Sequence, residues 1–167
     1  DYTIDPARSE VIAKVAFFGV ARKTARFPRV SGSIALSSER PEEIDLEVRI
    51  DAAALIAPDA VTLARLKGPA FFDVKRHPTI LFEGRRMEMS GDRDARIFGQ
   101  ITARGVTRPA TLAVRFTEPP RRAGGSGTLA LSGETVIDRR AFGMTAYPLV
   151  VGRKVTIRLT AVLTPQA

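Results

Sequence analysis

His77 is the only histidine in the chain, and the carboxylates nearest to it are Asp73, four residues before, and Glu83, six after. Acid–base chemistry or metal binding needs several such groups converging on one point. A single histidine followed by Pro78 reads instead as a surface residue just ahead of a strand. The chain has no cysteine, so a thiolate nucleophile, a disulfide and a cysteine metal site are all excluded. Gly124-Gly125-Ser126-Gly127 has neither the lysine nor the following helix of a phosphate-binding loop. No nucleophile motif and no paired carboxylates occur elsewhere. These residues predict a protein that is not an enzyme and that uses no cofactor and no metal.

The remaining distinctive residues are apolar or cationic. Phe71 and Phe72, followed by Asp73, form a turn in which two rings can plug the end of a sheet or line a tunnel, with Asp73 capping nearby N–H groups. Arg139 has two readings. It can hold a strand end through a salt bridge to Asp138 or Asp73, or it can fork onto an anionic head group. Phe142-Gly143-Met144 reads as a bend with two apolar plugs, and Met144 suits contact with a flexible ligand.

The elements that would position these groups are strands. Ile44, Leu46, Val48 and Ile50 alternate with Asp45, Glu47, Arg49 and Asp51, so one face is buried and the other wet. Ala110, Leu112, Val114 and Phe116 repeat the pattern, as do Val155, Ile157, Leu159, Ala161 and Leu163. Further candidates run over 11–18, 30–36, 79–87, 95–103 and 128–137, which makes about eight strands bounded by Gly, Pro, Asp or Ser. Residues 58–68 break the pattern: Val61, Leu63 and Leu66 have helical spacing, Asp59 can cap the start, and Gly68-Pro69 stops the turn.

An all-β fold follows, with eight antiparallel strands and one short helix between strands. Closure into a barrel removes the edges that a sandwich would leave open. An eight-stranded barrel can be filled by its own side chains or can hold one small ligand. The small residues Ala13, Gly32, Gly99, Ala103, Gly133 and Ala161 lie on inward registers, and both readings stay open at this point.

Composition sets the outer limits. The 167 residues suit one domain over 1–167, and a hydrophobic share of 44% with 26% charged residues is that of a folded globular chain. No apolar run reaches the ~18–20 residues of a spanning helix. The sequence does not open on a basic-then-apolar leader, and the expectation is that any signal peptide has already been removed. The net charge of +8 raises nucleic acid and anionic membrane as partners. The basic residues are scattered along the sequence, with no aromatics interleaved, which argues against nucleic acid.

Four blocks carry a family resemblance. Tyr2-Thr3-Ile4-Asp5-Pro6-Ala7-Arg8-Ser9-Glu10-Val11 is similar to the opening strand of YceI-like proteins, with Arg8 where a histidine is usual. Leu66 to Phe82, Gly105 to Leu112 and Ile137 to Met144 resemble that family's Phe-Phe-Asp, Gly-Val-Thr and Phe-Gly-Met elements, in the family's order. Ala70 and Ala141 replace acidic residues of the pattern. The resemblance implies a lipocalin-like barrel in the bacterial periplasm that encloses a polyisoprenoid or fatty-acyl lipid, as a carrier or sequestering protein. The alternative is a filled barrel acting as a protein-interaction or stress-response module. A homodimer and peripheral contact with an anionic membrane are the further partners admitted.

The expected ligand wall draws on each strand in turn. Val11, Ala13, Val15 and Phe17 come first, then Ile34, Leu46, Val48, Phe82, Gly99 and Ile101. Leu112, Val114, Leu131, Ile157 and Leu159 complete the barrel. Leu66, Phe71, Phe72, Arg139, Phe142 and Met144 are expected at its mouth.

Overall fold

The structure is a computed structural model, and it describes residues 2–17, 21–36, 39–40, 42–118, 128–146 and 151–165. Ten strand segments follow one another: β1 (Tyr2–Ile4), β2 (Glu10–Phe17), β3 (Ala21–Phe27), β4 (Val30–Leu36), β5 (Glu43–Asp51), β6 (Thr79–Met89), β7 (Asp94–Ala103), β8 (Val106–Phe116), β9 (Leu129–Asp138) and β10 (Val151–Pro165). One helix, α1 (Ala60–Lys67), stands between β5 and β6.

The ten segments make eight barrel strands. β1 and β2 both lie along β10, β1 pairing with its C-terminal end and β2 with its N-terminal part. On their other side β1 pairs with β4 and β2 with β3. Residues 2–17 and 21–36 are therefore two long strands of one hairpin, interrupted by the 3-10 turn Pro6–Arg8 and by Pro28-Arg29. Proline cannot donate to a ladder, which is why both breaks fall at one. From β4 the sheet continues in chain order through β10, and the β1–β10 pairing closes the ring. The eight-stranded antiparallel barrel expected from the sequence is the fold.

The inward faces match the alternation. Ile44, Leu46, Val48 and Ile50 are buried, as are Ala95, Ile97, Ile101 and Ala103, and Leu112, Val114 and Phe116. The wall is uneven in its stitching. β7 and β8 pair along their whole length, whereas β8 and β9 share only Ala113–Glu134 to Phe116–Leu131. Above that point the first half of β8 and the last residues of β9 diverge.

Helix α1 forms where the sequence places it. Asp59 accepts a hydrogen bond from the Thr62 N–H at 2.8 Å, and the Gly68 N–H closes on the Arg65 carbonyl. That N-terminal bond to the Thr62 amide, helped by the Thr62 hydroxyl, holds the Asp59 carboxyl below its ordinary pKa of 3.8. The turn between β7 and β8 is Arg104-Gly105, both left-handed, with φ of 53° and 72°. That is the two-residue geometry that suits the twist of a hairpin.

The glycines correct one expectation. The sequence places Gly99 as free volume in the barrel. A Cβ there would lie 1.9 Å from the Glu83 carbonyl oxygen, so Gly99 serves a close backbone approach beside the irregular pairing of β6 with β7. At Gly133 a Cβ would meet the Leu112 side chain at 3.0 Å, so Leu112 already occupies that room. Gly99→Ala will therefore act on folding. Overpacking costs about 1–3 kcal/mol in a yielding core, and the backbone here yields less. A drop in melting temperature of roughly 6 °C or more is expected, at about 2–4 °C per kcal/mol for a chain of this size. An unchanged melt would show that the two strands can part at this point.

Candidate ligand cavity

Two cavities lie in series inside the barrel. The upper one, under the loop that follows α1, has a volume of about 70 Å³ and the lower about 40 Å³. A single water needs only ~10–15 Å³ of such space. Val11, Ile50, Ile80 and Ile157 line both cavities, so the two share a wall. The surface facing the upper cavity is apolar, although Lys14, Lys23, Thr24 and Arg139 border it, and the lower cavity has Thr135 as its one residue with a polar side chain. Apolar space of this kind stays dry and favours hydrocarbon.

The strands deliver the wall by register. Val11 faces Phe27, Ala13 faces Ala25 and Val15 faces Lys23 across the β2–β3 hairpin. All six line the upper cavity. Ala13 and Ala25 are the small pair, and the hollow opens beside them. Val48, Phe82, Ile101, Leu112 and Leu159 line the lower cavity. Below it the barrel is solid. Ile34, Ile97, Phe116, Leu129 and Leu163 are at most 1% exposed and belong to neither cavity. The two readings left open by the sequence thus hold in different halves, hollow above and filled below.

The sequence-derived residues divide accordingly. Ala13, Val15, Leu66, Phe71, Phe72, Arg139 and Met144 line the upper cavity, and Val11 and Ile157 line both. Leu46, Val114 and Leu131 are buried in the filled half, and Phe142 is buried near the mouth without lining either hollow. Gly99 lines neither. The side chain of Phe17 lies outside the described residues. Sequence reasoning missed Ala25, Phe27 and Lys23, because β3 reads Ala-Arg-Lys-Thr-Ala-Arg-Phe and its inward face is too small and too charged to show as apolar alternation.

The mouth is built from two loops. Phe71 is buried and Phe72 half-buried. The Phe72 ring meets Phe27 edge-on, with centroids 5.5 Å apart, a favourable aromatic geometry. Asp73 has φ of 48°, and its carbonyl accepts from the N–H groups of Arg76 and His77. His77 packs on the β7–β8 turn, where a Cβ on Gly105 would lie 3.0 Å from its ring. Among the described residues no cluster of His, Cys, Asp or Glu could hold a metal ion.

Arg139 braces the connection between β9 and β10 from within and faces the Phe71 ring of the other loop. It is 1% exposed. Its Nε donates to the Gly152 carbonyl at 2.8 Å, Nη1 to Met144 at 2.5 Å and Nη2 to Val151 at 2.9 Å. The guanidinium carbon also stands 6.0 Å from the centre of the Phe71 ring, at the limit of a cation–π contact. Burial pulls its pKa below the ordinary arginine value, with Arg140 adding to the effect and Asp138 opposing it. The sequence suggests a bridge to Asp73 or to Asp138. The Asp138 carboxylate instead pairs with Arg153 at 2.7 Å, which is the main reason its pKa is lowered. Arg104 completes the frame, donating to the Gly143 carbonyl at 2.5 Å and to Pro69 at 2.6 Å. Gly143, at φ 81°, supplies the left-handed turn that this clamp grips.

Comparison with known proteins places this geometry. A protein of Azotobacter vinelandii described as a UPF0312 protein is 25% identical over 146 residues, covering 86% of this chain and 76% of that protein. The crystal structure of Burkholderia cenocepacia BcnA superposes with a TM-score of 0.83 at 21% identity, covering 95% of this chain and 98% of that one. A polyisoprenoid binding domain from Saccharophagus degradans, implicated in plant cell wall breakdown, superposes with a TM-score of 0.73 at 13% identity, over 99% and 98% of the two chains. The model of the YceI-like domain matches residues 2–163, nearly the whole barrel, and the chain belongs to that family.

Proposed function

We propose that this protein binds one long apolar ligand, a polyisoprenoid or fatty-acyl lipid, along the barrel axis, as a periplasmic carrier or sequestering protein that performs no catalytic step. The observation that carries this reading is the pair of cavities with apolar surfaces that share a wall beneath Phe71 and Phe72. Membership of the YceI-like family supports it, as does the likeness in fold to a polyisoprenoid binding domain. Each methylene moved from water into such a wall gains about 0.8 kcal/mol, so affinity needs few polar contacts.

The cavities are small beside the ~300–1,000 Å³ of ordinary ligand sites. Loading therefore widens the upper half, and the Phe72–Phe27 contact is the point of least resistance because Phe72 is only half-buried. The test is mass spectrometry of an organic extract of the purified protein, joined to a titration with a fluorescent fatty acid and a fluorescent prenol. A co-purifying lipid or saturable uptake of either probe is expected. A clean extract with no saturable uptake would leave the filled-barrel interaction module as the better reading.

A further inference from the structure

The strands run alternately up and down, so their connections divide between two ends. The last residues of β2, β5, β7 and β9 and the first residues of β3, β6, β8 and β10 lie at the end over the upper cavity. Among the described residues, 14–17, 21–23, 51–78, 104–108, 138–146 and 151–154 belong to that end and hold 13 of the 26 basic residues and 4 of the 18 acidic ones, a net charge of +9. The rest of the chain sums to −1. Basic residues scattered along the sequence are thus gathered by topology at the cavity mouth.

Two further observations belong to this end. The ion pair Arg153–Asp138 lies here, while pairs such as Arg85–Asp45, Arg86–Glu88 and Arg115–Asp94 fall along the middle and the far end of the barrel. Lys75, Arg76, Arg108, Arg140 and Lys154 are all exposed. The same end also presents aliphatic side chains to solvent, Ile56 at 51% and Val61 at 62% exposure. Both stand on the connection that supplies Leu66, Phe71 and Phe72 to the cavity.

We propose that this end docks on the surface of an anionic phospholipid bilayer, with its cations over the head groups, Ile56 and Val61 at the interface, and the cavity mouth turned toward the membrane. A cation near such a surface gains about 1 kcal/mol, or about fivefold in affinity, and exposed aliphatics beside it add shallow insertion. A nucleic acid fits less well. The large apolar side chains exposed among the described residues are Ile56, Val61, Met89 and Val136, none of them aromatic, and base stacking needs aromatic faces. The docking rests on charge and exposure alone, but its use, loading lipid directly from a bilayer, rests on the lipid-binding reading above.

The experiment is co-sedimentation with vesicles of phosphatidylcholine carrying about one-third phosphatidylglycerol, against vesicles of phosphatidylcholine alone, at low salt. The wild-type protein is expected on the anionic vesicles only. Lys75→Glu, Arg76→Glu, Arg140→Glu and Lys154→Glu together should weaken that binding by about a hundredfold or more. A control with Arg40→Glu, Arg93→Glu, Arg96→Glu and Arg115→Glu at the far end has the same net charge and should bind within about fivefold of wild type.

Equal loss in the two variants would overturn the proposal, as would absence of wild-type binding. Binding to duplex DNA without binding to vesicles would overturn it too and reassign the patch to nucleic acid. Thermal melts establish that each variant is folded, and Lys75→Glu with Arg76→Glu alone is the milder version. Uptake of a fluorescent fatty acid from detergent, without vesicles, should be the same in all forms. Wild-type protein that sediments with vesicles but takes up no probe would remove the lipid-binding reading and leave the docking intact.

Discussion

Arg139→Ala will destabilise the barrel by about 3–5 kcal/mol, the cost of leaving one side of a buried polar network unmatched. The carbonyls of Met144, Val151 and Gly152 each lose a charged donor at 2.5–2.9 Å, and a buried oxygen left without a partner keeps its full desolvation cost. At about 2–4 °C per kcal/mol the melting temperature should fall by roughly 6–20 °C. Arg139→Lys should recover less than half of this, since one ammonium cannot reach three carbonyls set around a planar fork. If Arg139→Ala melts within a few degrees of wild type, the arginine is not the brace that holds the β9–β10 connection.

Ala13→Phe should abolish lipid uptake while the protein stays folded. Ala13 stands in the wall of the upper cavity opposite Ala25, and a ring placed there enters space already apolar and open. Each methylene kept out of the barrel forfeits about 0.8 kcal/mol, so excluding about five weakens binding roughly a thousandfold. Filling a hollow in this way leaves the melt within a few degrees of wild type. If the hollow does not serve the ligand, the same ring only crowds it, costing about 1–3 kcal/mol. The melt would then fall while the fluorescent-lipid titration stayed unchanged.

The barrel was legible because its strands alternate. Ile44 to Asp51 assigns every second residue to water, and the paired registers of β4, β5 and β6 follow that assignment. Helix α1 was legible from Asp59 and Gly68, whose capping bonds act within the local chain. β3 was not legible. Its inward residues, Ala25 and Lys23, are chosen to border a hollow and its rim, and a hollow leaves no run of large aliphatics to be seen. Gly99 misled for a related reason. A missing side chain looks the same in sequence whether it makes room for a ligand or for the neighbouring backbone. The partners of Arg139 were equally hidden, because main-chain carbonyls carry no mark of residue type. The gathering of charge at the mouth needed the up-and-down order of the strands before it could be counted.

The sparse pairing between β8 and β9 bears on how such a barrel breathes. A cylinder hydrogen-bonded evenly around its girth resists widening everywhere, because any expansion must break bonds in several ladders at once. Here the stitching of the upper girth is sparse beside β3, which ends the sheet order and meets the next segment through the Arg26–Ile56 bridge, and again along one line bordered by Val106 to Leu112 and Thr135 to Asp138. The clamp of Arg104 on Gly143 and Pro69 spans its top. Expansion can therefore run as a hinge along the β8–β9 line, where few ladder bonds have to break, with the packed lower half as its pivot. Amide protons of Val106 to Leu112 that point into the gap will exchange with solvent sooner than those facing β7, and a bound chain that props the gap open would make the contrast greater.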